Sequence, residues 1–392
     1  MNKFLLKIIT IVFISCTILS CTDDKNEVET QERTLVKSKL VKTISKEELT
    51  LKAKGLGLPT EVLKLQALKV YSLTYKTKNT DGKTIEASGA LLIPENAKNI
   101  PIMSYQHGTI LTQEEAPSLY DTGAETTLYG TLLASEGMII SMPDYIGYNK
   151  SKQYNHPYEH ANSLASSSYD MLIASKEFLK EKKIITSEKL YLAGYSEGAS
   201  ATMALHKYIE EKDKLKVSWS APGSGPYDLL GTSKFFLGLD MEVGNATAYS
   251  LMLFDSFNKI YLIGKKWETI VNPLYVSKIK EISNPLNFIK AQIPSNPTTL
   301  FKKEFRESML NGTETEMLNR LKENNTFDWL PKAPITLYYG KADMTVSPQN
   351  TLTAYTKLKA NGANVKVVAC QGNSHSNISL YYILELLKKI KE

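Results

Sequence analysis

Short apolar runs alternate with helix-length amphipathic segments along most of the chain. Early on, two β-rich runs, "KVYSLTYKT" (69–77) and "KTIEASGALLIP" (83–94), flank "KNTDG", where Asp81-Gly82 is a turn signal. They predict a hairpin. Six more apolar runs follow: "IPIMSYQHG", "GMIISMPDY", "KLYLAGYS", "KVSWSAPG", "APITLYYG" and "NVKVVAC". Between or after them lie "SLASSSYDMLIASKEFLKEK", "GASATMALHKYIEEK", "SPQNTLTAYTKLKANG" and "NISLYYILELLKKIK". In the first of these, Leu164, Met171, Phe178 and Leu179 fall near one helical stripe. Nearly continuous apolar strands separated by helices predict an α/β fold with a mostly parallel central sheet and helices on both faces.

One interval breaks the rhythm. About a hundred residues, from Asp228 to Phe327, separate two strands that a connection of roughly 2–6 residues would join. The interval carries its own helical text, "YSLMLFDSFNKIYLIG" and "NPLNFIKAQI", which predicts an inserted, mainly helical cap. Its Tyr, Phe, Met and Leu side chains serve either as the insertion's own core or as a greasy wall over a binding site. Residues 22 to about 48 are rich in Lys, Glu, Thr and Ser and poor in large apolar side chains, so they read as a flexible tether. The first twenty residues have basic Lys3 and Lys7 and a short apolar stretch, the pattern of an export leader rather than a stable membrane span. The expected organisation is a leader (1–20), a tether (21–48), the first part of the core (49–227), the cap (228–327) and the second part of the core (328–392).

Composition narrows the function classes. With 392 residues, 42% of them hydrophobic, the chain can bury a large core. Removing the leader leaves 45 basic against 41 acidic residues, a scattered balance of +4 that makes no case for nucleic acid. Of three cysteines, Cys16 leaves with the leader and Cys21 ends "ILSC", which resembles the lipobox of bacterial lipoproteins, whose cysteine is acylated. The acidic pair in "CTDDKNE" resembles the surface-export tag of some Gram-negative lipoproteins. The expected location is a membrane, anchored through the N-terminal lipid, in the outer membrane and facing outward or inward. Cys370 alone remains, which excludes an intramolecular disulfide and a cysteine metal cluster.

The candidate chemistry centres on "GYSEG", Gly194 to Gly198. A G-x-S-x-G match arises by chance in roughly one chain of this length in eight, so its context decides. Ser196 ends a predicted strand and precedes a helix, as a nucleophile elbow requires. Gly194 and Gly198 lack side chains where that turn brings backbones together, and the N–H of Glu197 falls where an oxyanion would form. A serine nucleophile needs a base and an orienting carboxylate, each just after a later strand. "ITLYYGKADMTVSP" supplies Asp343 and "NVKVVACQGNSHSN" supplies His375. The loop after an early strand, "SYQHGT", supplies the second oxyanion donor, with Thr109 preferred and Gly108 second. Asp144 and Tyr145 in "MPDYIGYNKS" brace that region from below. The other histidines compete poorly: His107 precedes a glycine, His156 and His160 lie in a loop, and His206 faces solvent or a strand from the helix after Ser196. The chemistry needs no cofactor and no metal.

Together "YQHGT", "PDYIGYNKS…HPY", "GYSEGA", "GKADMTV" and "GNSH" resemble the α/β-hydrolases related to secretory lipases of the lipase A type, a group with many bacterial lipoprotein esterases. The resemblance runs from about Val70 to the C-terminus. The order Ser196, Asp343, His375, with gaps of 147 and 32 residues, is similar to that group. It implies an α/β-hydrolase fold and a serine ester hydrolase, an esterase or lipase acting on a small-molecule, lipid or glycan ester. Glu197 stands where the group often has Gly or Gln. Two other readings remain: a serine peptidase with the same triad, and a non-catalytic surface lipoprotein that binds glycan or lipid.

Overall fold

A computed structural model of the chain describes residues 33–391 except 56–59, 61–62, 121–124 and 283. The leader and Cys21 lie outside the described residues. The predicted hairpin forms as β2 (Leu68–Lys78) and β3 (Thr84–Pro94), paired antiparallel from Leu68↔Pro94 to Lys78↔Thr84. The six later apolar runs become β4 (Ile100–Gln106), β5 (Ile139–Pro143), β6 (Thr186–Tyr195), β7 (Trp219–Gly223), β8 (Ile335–Gly340) and β9 (Val365–Cys370). With β1 (Leu35–Ile44) they make one sheet in the order β1-β2-β3-β5-β4-β6-β7-β8-β9. Pairing is antiparallel from β1 through β3 to β5 and parallel from β5 to β9.

The helices of the core are α1 (Lys46–Gly55), α2 (Thr131–Ser135), α3 (Ala161–Glu181) and α4 (Glu197–Lys212). Those of the insertion follow: α5 (Leu229–Gly238), α6 (Ala246–Ile260), α7 (Trp267–Ile270), α8 (Pro273–Lys280), α9 (Pro297–Leu300), α10 (Lys303–Asn311) and α11 (Thr315–Glu323). α12 (Pro348–Ala360) and α13 (His375–Lys389) complete the core. The stripe read from the sequence is the buried face of α3, where Leu164, Met171, Phe178 and Leu179 all lie inside. Two hydrophobic clusters occupy opposite faces of the sheet. One joins α2 and α13 to the strands, and the other joins α3 and α4 to the opposite face.

The insertion is helical, as expected, but its apolar interior is not separate from the core. Phe254, Phe257, Phe288, Phe301 and Phe305 pack in one cluster with Ile110, Tyr145, Tyr148, Tyr158 and Leu164, which belong to the sheet-bearing body. A cap seated by shared apolar packing has its position fixed by the same water-exclusion that folds the core.

The tether reading is corrected for residues 35–48. Leu35–Ile44 is an edge strand, and α1 begins at Lys46, so the core starts before residue 49. Composition gave no hint, because only Leu35 and Ile44 of that strand are buried and the eight residues between are exposed. Its order comes from backbone pairing with β2 and from the Glu177 carboxylate on α3. That carboxylate accepts the N–H groups of Thr34 at 3.1 Å and Leu35 at 2.6 Å. We predict that Glu177→Ala lowers stability by about 2 kcal/mol, the size of hydrogen bonds to a charged acceptor. It should also speed amide exchange in residues 35–44 before the rest of the sheet. Uniform protection across β1 in the variant would show that the carboxylate does not hold the strand.

Candidate active site

β6 runs parallel between β4 and β7 and ends at Tyr195, and α4 starts at Glu197, so one residue makes the whole reversal. Ser196 does so at φ 58° and ψ −125°, a region that costs about 1–3 kcal/mol for a residue with a side chain. Its N–H donates to the Gly223 carbonyl at 2.9 Å. The elbow glycines are there for space. A Cβ on Gly194 would lie 2.3 Å from the Gly198 carbonyl oxygen, and one on Gly198 would lie 2.0 Å from that of Gln106.

The structure brings Ser196, Asp343 and His375 together. His375 opens α13, with Ser374 capping the helix, and its Nε2 lies 2.8 Å from Ser196 Oγ. Its Nδ1 lies 2.7 Å from Asp343 Oδ2. Asp343 is buried, and its other oxygen accepts the backbone N–H of Thr345 at 3.0 Å and Val346 at 2.9 Å. A carboxylate held this way keeps a proton on Nδ1 and leaves Nε2 to accept from the serine. The α13 helix is tied to the elbow. Tyr382 accepts the Gly194 N–H at 3.0 Å and donates to the Ala221 carbonyl at 2.6 Å, while Tyr195 donates to the His375 carbonyl at 2.7 Å.

The loop after β4 lies against this site, with a Cβ built on Gly108 reaching within 3.6 Å of Ser196 Cβ. The Gly108 N–H donates to Glu125 Oε2 at 2.8 Å, so it is committed elsewhere, and Thr109 is the better of the two expected donors. His107 Nδ1 lies 2.6 Å from the Gly108 carbonyl, which can only accept, so that nitrogen carries the proton. Asp144 and Tyr145 do brace the region from below. Asp144 accepts from Ser88 Oγ at 2.6 Å and from both Ser118 N–H and Ser118 Oγ, and Tyr145 donates to the His107 carbonyl at 3.0 Å.

The remaining histidines sit away from the serine hydroxyl. His206 faces a strand, with Nδ1 2.9 Å from Ser220 Oγ and Nε2 3.0 Å from Glu210. Burial holds His160 down at about 4, so it is neutral at physiological pH. His156 has a role that sequence reasoning missed. Its Nδ1 donates to the Ile146 carbonyl at 2.9 Å, and its Nε2 meets the buried Glu197 carboxyl at 2.7 Å. The residue after Ser196 is thus anchored through its own side chain. Glu159, also buried, lies near enough that burial first, and the Glu197 carboxylate second, push it well above the usual carboxylate range. In sequence, 38 positions separate these two carboxyls, so no local signal could pair them.

A narrow cavity, part of it open to solvent, adjoins Ser196. The sheet-bearing body contributes Thr109, Tyr158 and Glu159, and the cap contributes Leu229, Phe236 and Leu253 among others. The insertion's apolar residues therefore do both things expected of them, filling its own interior and walling the cavity. Among the described residues no group of three or more His, Cys, Asp or Glu side chains is placed to hold a metal ion.

Comparison of the chain with protein-family models and with curated proteins finds no match. Solved structures do resemble it. A protein of Legionella pneumophila assigned as a hydrolase superposes with a TM-score of 0.83 at 29% identity, over 92% of this chain and 98% of that one. The rice cell wall degrading esterase LipA of Xanthomonas oryzae, in a ligand-bound form, gives 0.79 at 25% identity over 91% and 96%. The closed state of Candida antarctica lipase A gives 0.68 at 19% identity over 91% and 81%, a likeness of fold.

The raised Glu159 carboxyl has a pH consequence. Above the ordinary carboxylate range the unfolded chain has released this proton while the folded protein still holds it, so stability falls as pH rises toward the folded value. Glu159→Gln removes that linkage. The urea midpoint of the variant should gain on the native protein from pH 5 to pH 8, whereas a constant gap would mean that Glu159 is not held protonated.

Proposed function

We propose that this chain, an α/β-hydrolase of lipase-A-like architecture, is a serine hydrolase of carboxylic esters. One observation carries the reading: His375 bridges Ser196 Oγ at 2.8 Å and the buried Asp343 at 2.7 Å, beside a cavity roofed by the cap. His375 takes the hydroxyl proton as Ser196 attacks the ester carbonyl, and Asp343 holds the imidazole in the tautomer that can accept it. Negative charge on the tetrahedral oxygen is met by the N–H of Glu197, at the N-terminal end of α4, and by that of Thr109. The imidazolium then protonates the leaving alcohol, and water, activated by the same histidine, releases the acid. Leu229, Phe236 and Leu253 give the apolar part of a small-molecule ester a surface to lie against.

Esters are favoured over amides because two of the solved structures that the chain resembles are an esterase and a lipase. A peptidase would use the same chemistry, and a binding protein would leave the serine unreactive. Hydrolysis of p-nitrophenyl esters from acetate to palmitate, beside peptide anilides, separates these readings. Ser196→Ala is expected to lower kcat on the best ester by at least ~10³-fold with the fold intact. Turnover near the native rate in that variant would end the proposal.

We further propose that the protein is exported and lipid-anchored at Cys21, on the strength of the leader and "ILSC". Cells fed labelled palmitate should label the native protein in the membrane fraction. Cys21→Ala should lose the label and leave that fraction. A labelled Cys21→Ala protein would place the acyl chain elsewhere.

A further inference from the structure

Glu125 takes no part in the proton transfers described above, yet its carboxyl reaches the loop that carries Thr109. It is half-buried and accepts from two donors, Tyr105 Oη at 2.5 Å and the Gly108 N–H at 2.8 Å. Both donors belong to one segment, the end of β4 and the loop that leaves it. Burial pushes the Glu125 carboxyl up to about 7, against the pull of these two hydrogen bonds and of nearby His375. Such a desolvated group has a strong preference for keeping its donors.

The loop geometry says what is held. Gly108 lies against Ser196, so its own N–H would be a competing donor if it were free. The Gly108 carbonyl is fixed by His107 Nδ1, and the described chain contains no cis peptide bond. In a trans peptide the C=O and N–H point in opposite directions, so the Thr109 N–H points away from the His107 ring. The peptide before it is pinned by Glu125 and the peptide that contains it by His107. We infer that Glu125 is a positioning residue for the oxyanion loop: by holding the Gly108 N–H it turns the next N–H, that of Thr109, toward the substrate oxygen. This rests on the ester-hydrolase reading and adds to it the group that sets one oxyanion donor.

The test compares native protein, Glu125→Ala and Glu125→Gln on p-nitrophenyl butyrate, with a boronic acid as a mimic of the tetrahedral adduct. Glu125→Ala should lower kcat at least ~10-fold while KM stays within about 2-fold, because the lost placement matters most in the transition state. Its affinity for the boronic acid should fall in parallel. Glu125→Gln keeps an oxygen that can accept from Gly108 and should recover most of kcat. If the alanine variant does not fold, as judged by circular dichroism, Glu125→Met repeats the test with similar length and no strong acceptor. Native kcat in the alanine or methionine variant, or an equal loss in the glutamine variant, overturns the inference and leaves the ester reading standing. Native protein inert toward both esters and a fluorophosphonate probe would remove the reading and the inference together.

Discussion

The single-residue reversal at Ser196 is the constraint around which the rest is arranged. A residue with a side chain at φ 58° and ψ −125° is held against its own preference, and the hold comes from two neighbouring strands and one helix. The β4 backbone presses on Gly198, β7 receives the Ser196 N–H, and Tyr382 of α13 receives the N–H of Gly194. That last contact also places the helix whose first residue is His375. Strain at Ser196 and the position of the histidine that faces it are thus two results of one packing arrangement.

Burying acids around the elbow is costly unless each is compensated. Glu197, Glu159 and Glu125 all lie close to the serine, and each is handled differently. Glu197 meets His156 Nε2 at 2.7 Å, Glu159 is held toward its neutral form by burial and by Glu197, and Glu125 is engaged by a backbone N–H and a tyrosine hydroxyl. A buried carboxyl without such compensation would be costly. The arrangement keeps three acidic side chains beside Ser196, each with a partner or with its carboxyl pushed toward the neutral form.

The cap follows a hydrophobic logic instead. Its aromatic interior is continuous with Tyr145, Tyr148 and Tyr158 of the body, residues that also surround His107 and His156. Packing that seats the cap therefore also confines the rings beneath the loop that follows β4. Substitutions in the cap core are expected to reach the site through this shared cluster, because close-packed interiors transmit displacement.

Much of this was legible in the sequence. Period and run length located the hairpin, the six parallel-sheet strands and the stripe of α3, because burial on a strand or helix imposes a local pattern. The elbow, Asp343 and His375 were readable because each stands at a strand's end, a position that sequence marks. What the sequence did not mark were features made by backbone or by distant partners. The edge strand Leu35–Ile44 has exposed side chains and is ordered by main-chain pairing, so its composition resembled a tether. Glu125 reaches Gly108 across 17 positions, and His156 reaches Glu197 across 41. The sequence by itself determined the fold class, the elbow and the order of its partners, since those depend on local periodicity and chain order. Only the tertiary structure decided which acid meets which donor, because hydrogen bonds between distant residues leave no periodic trace in the chain.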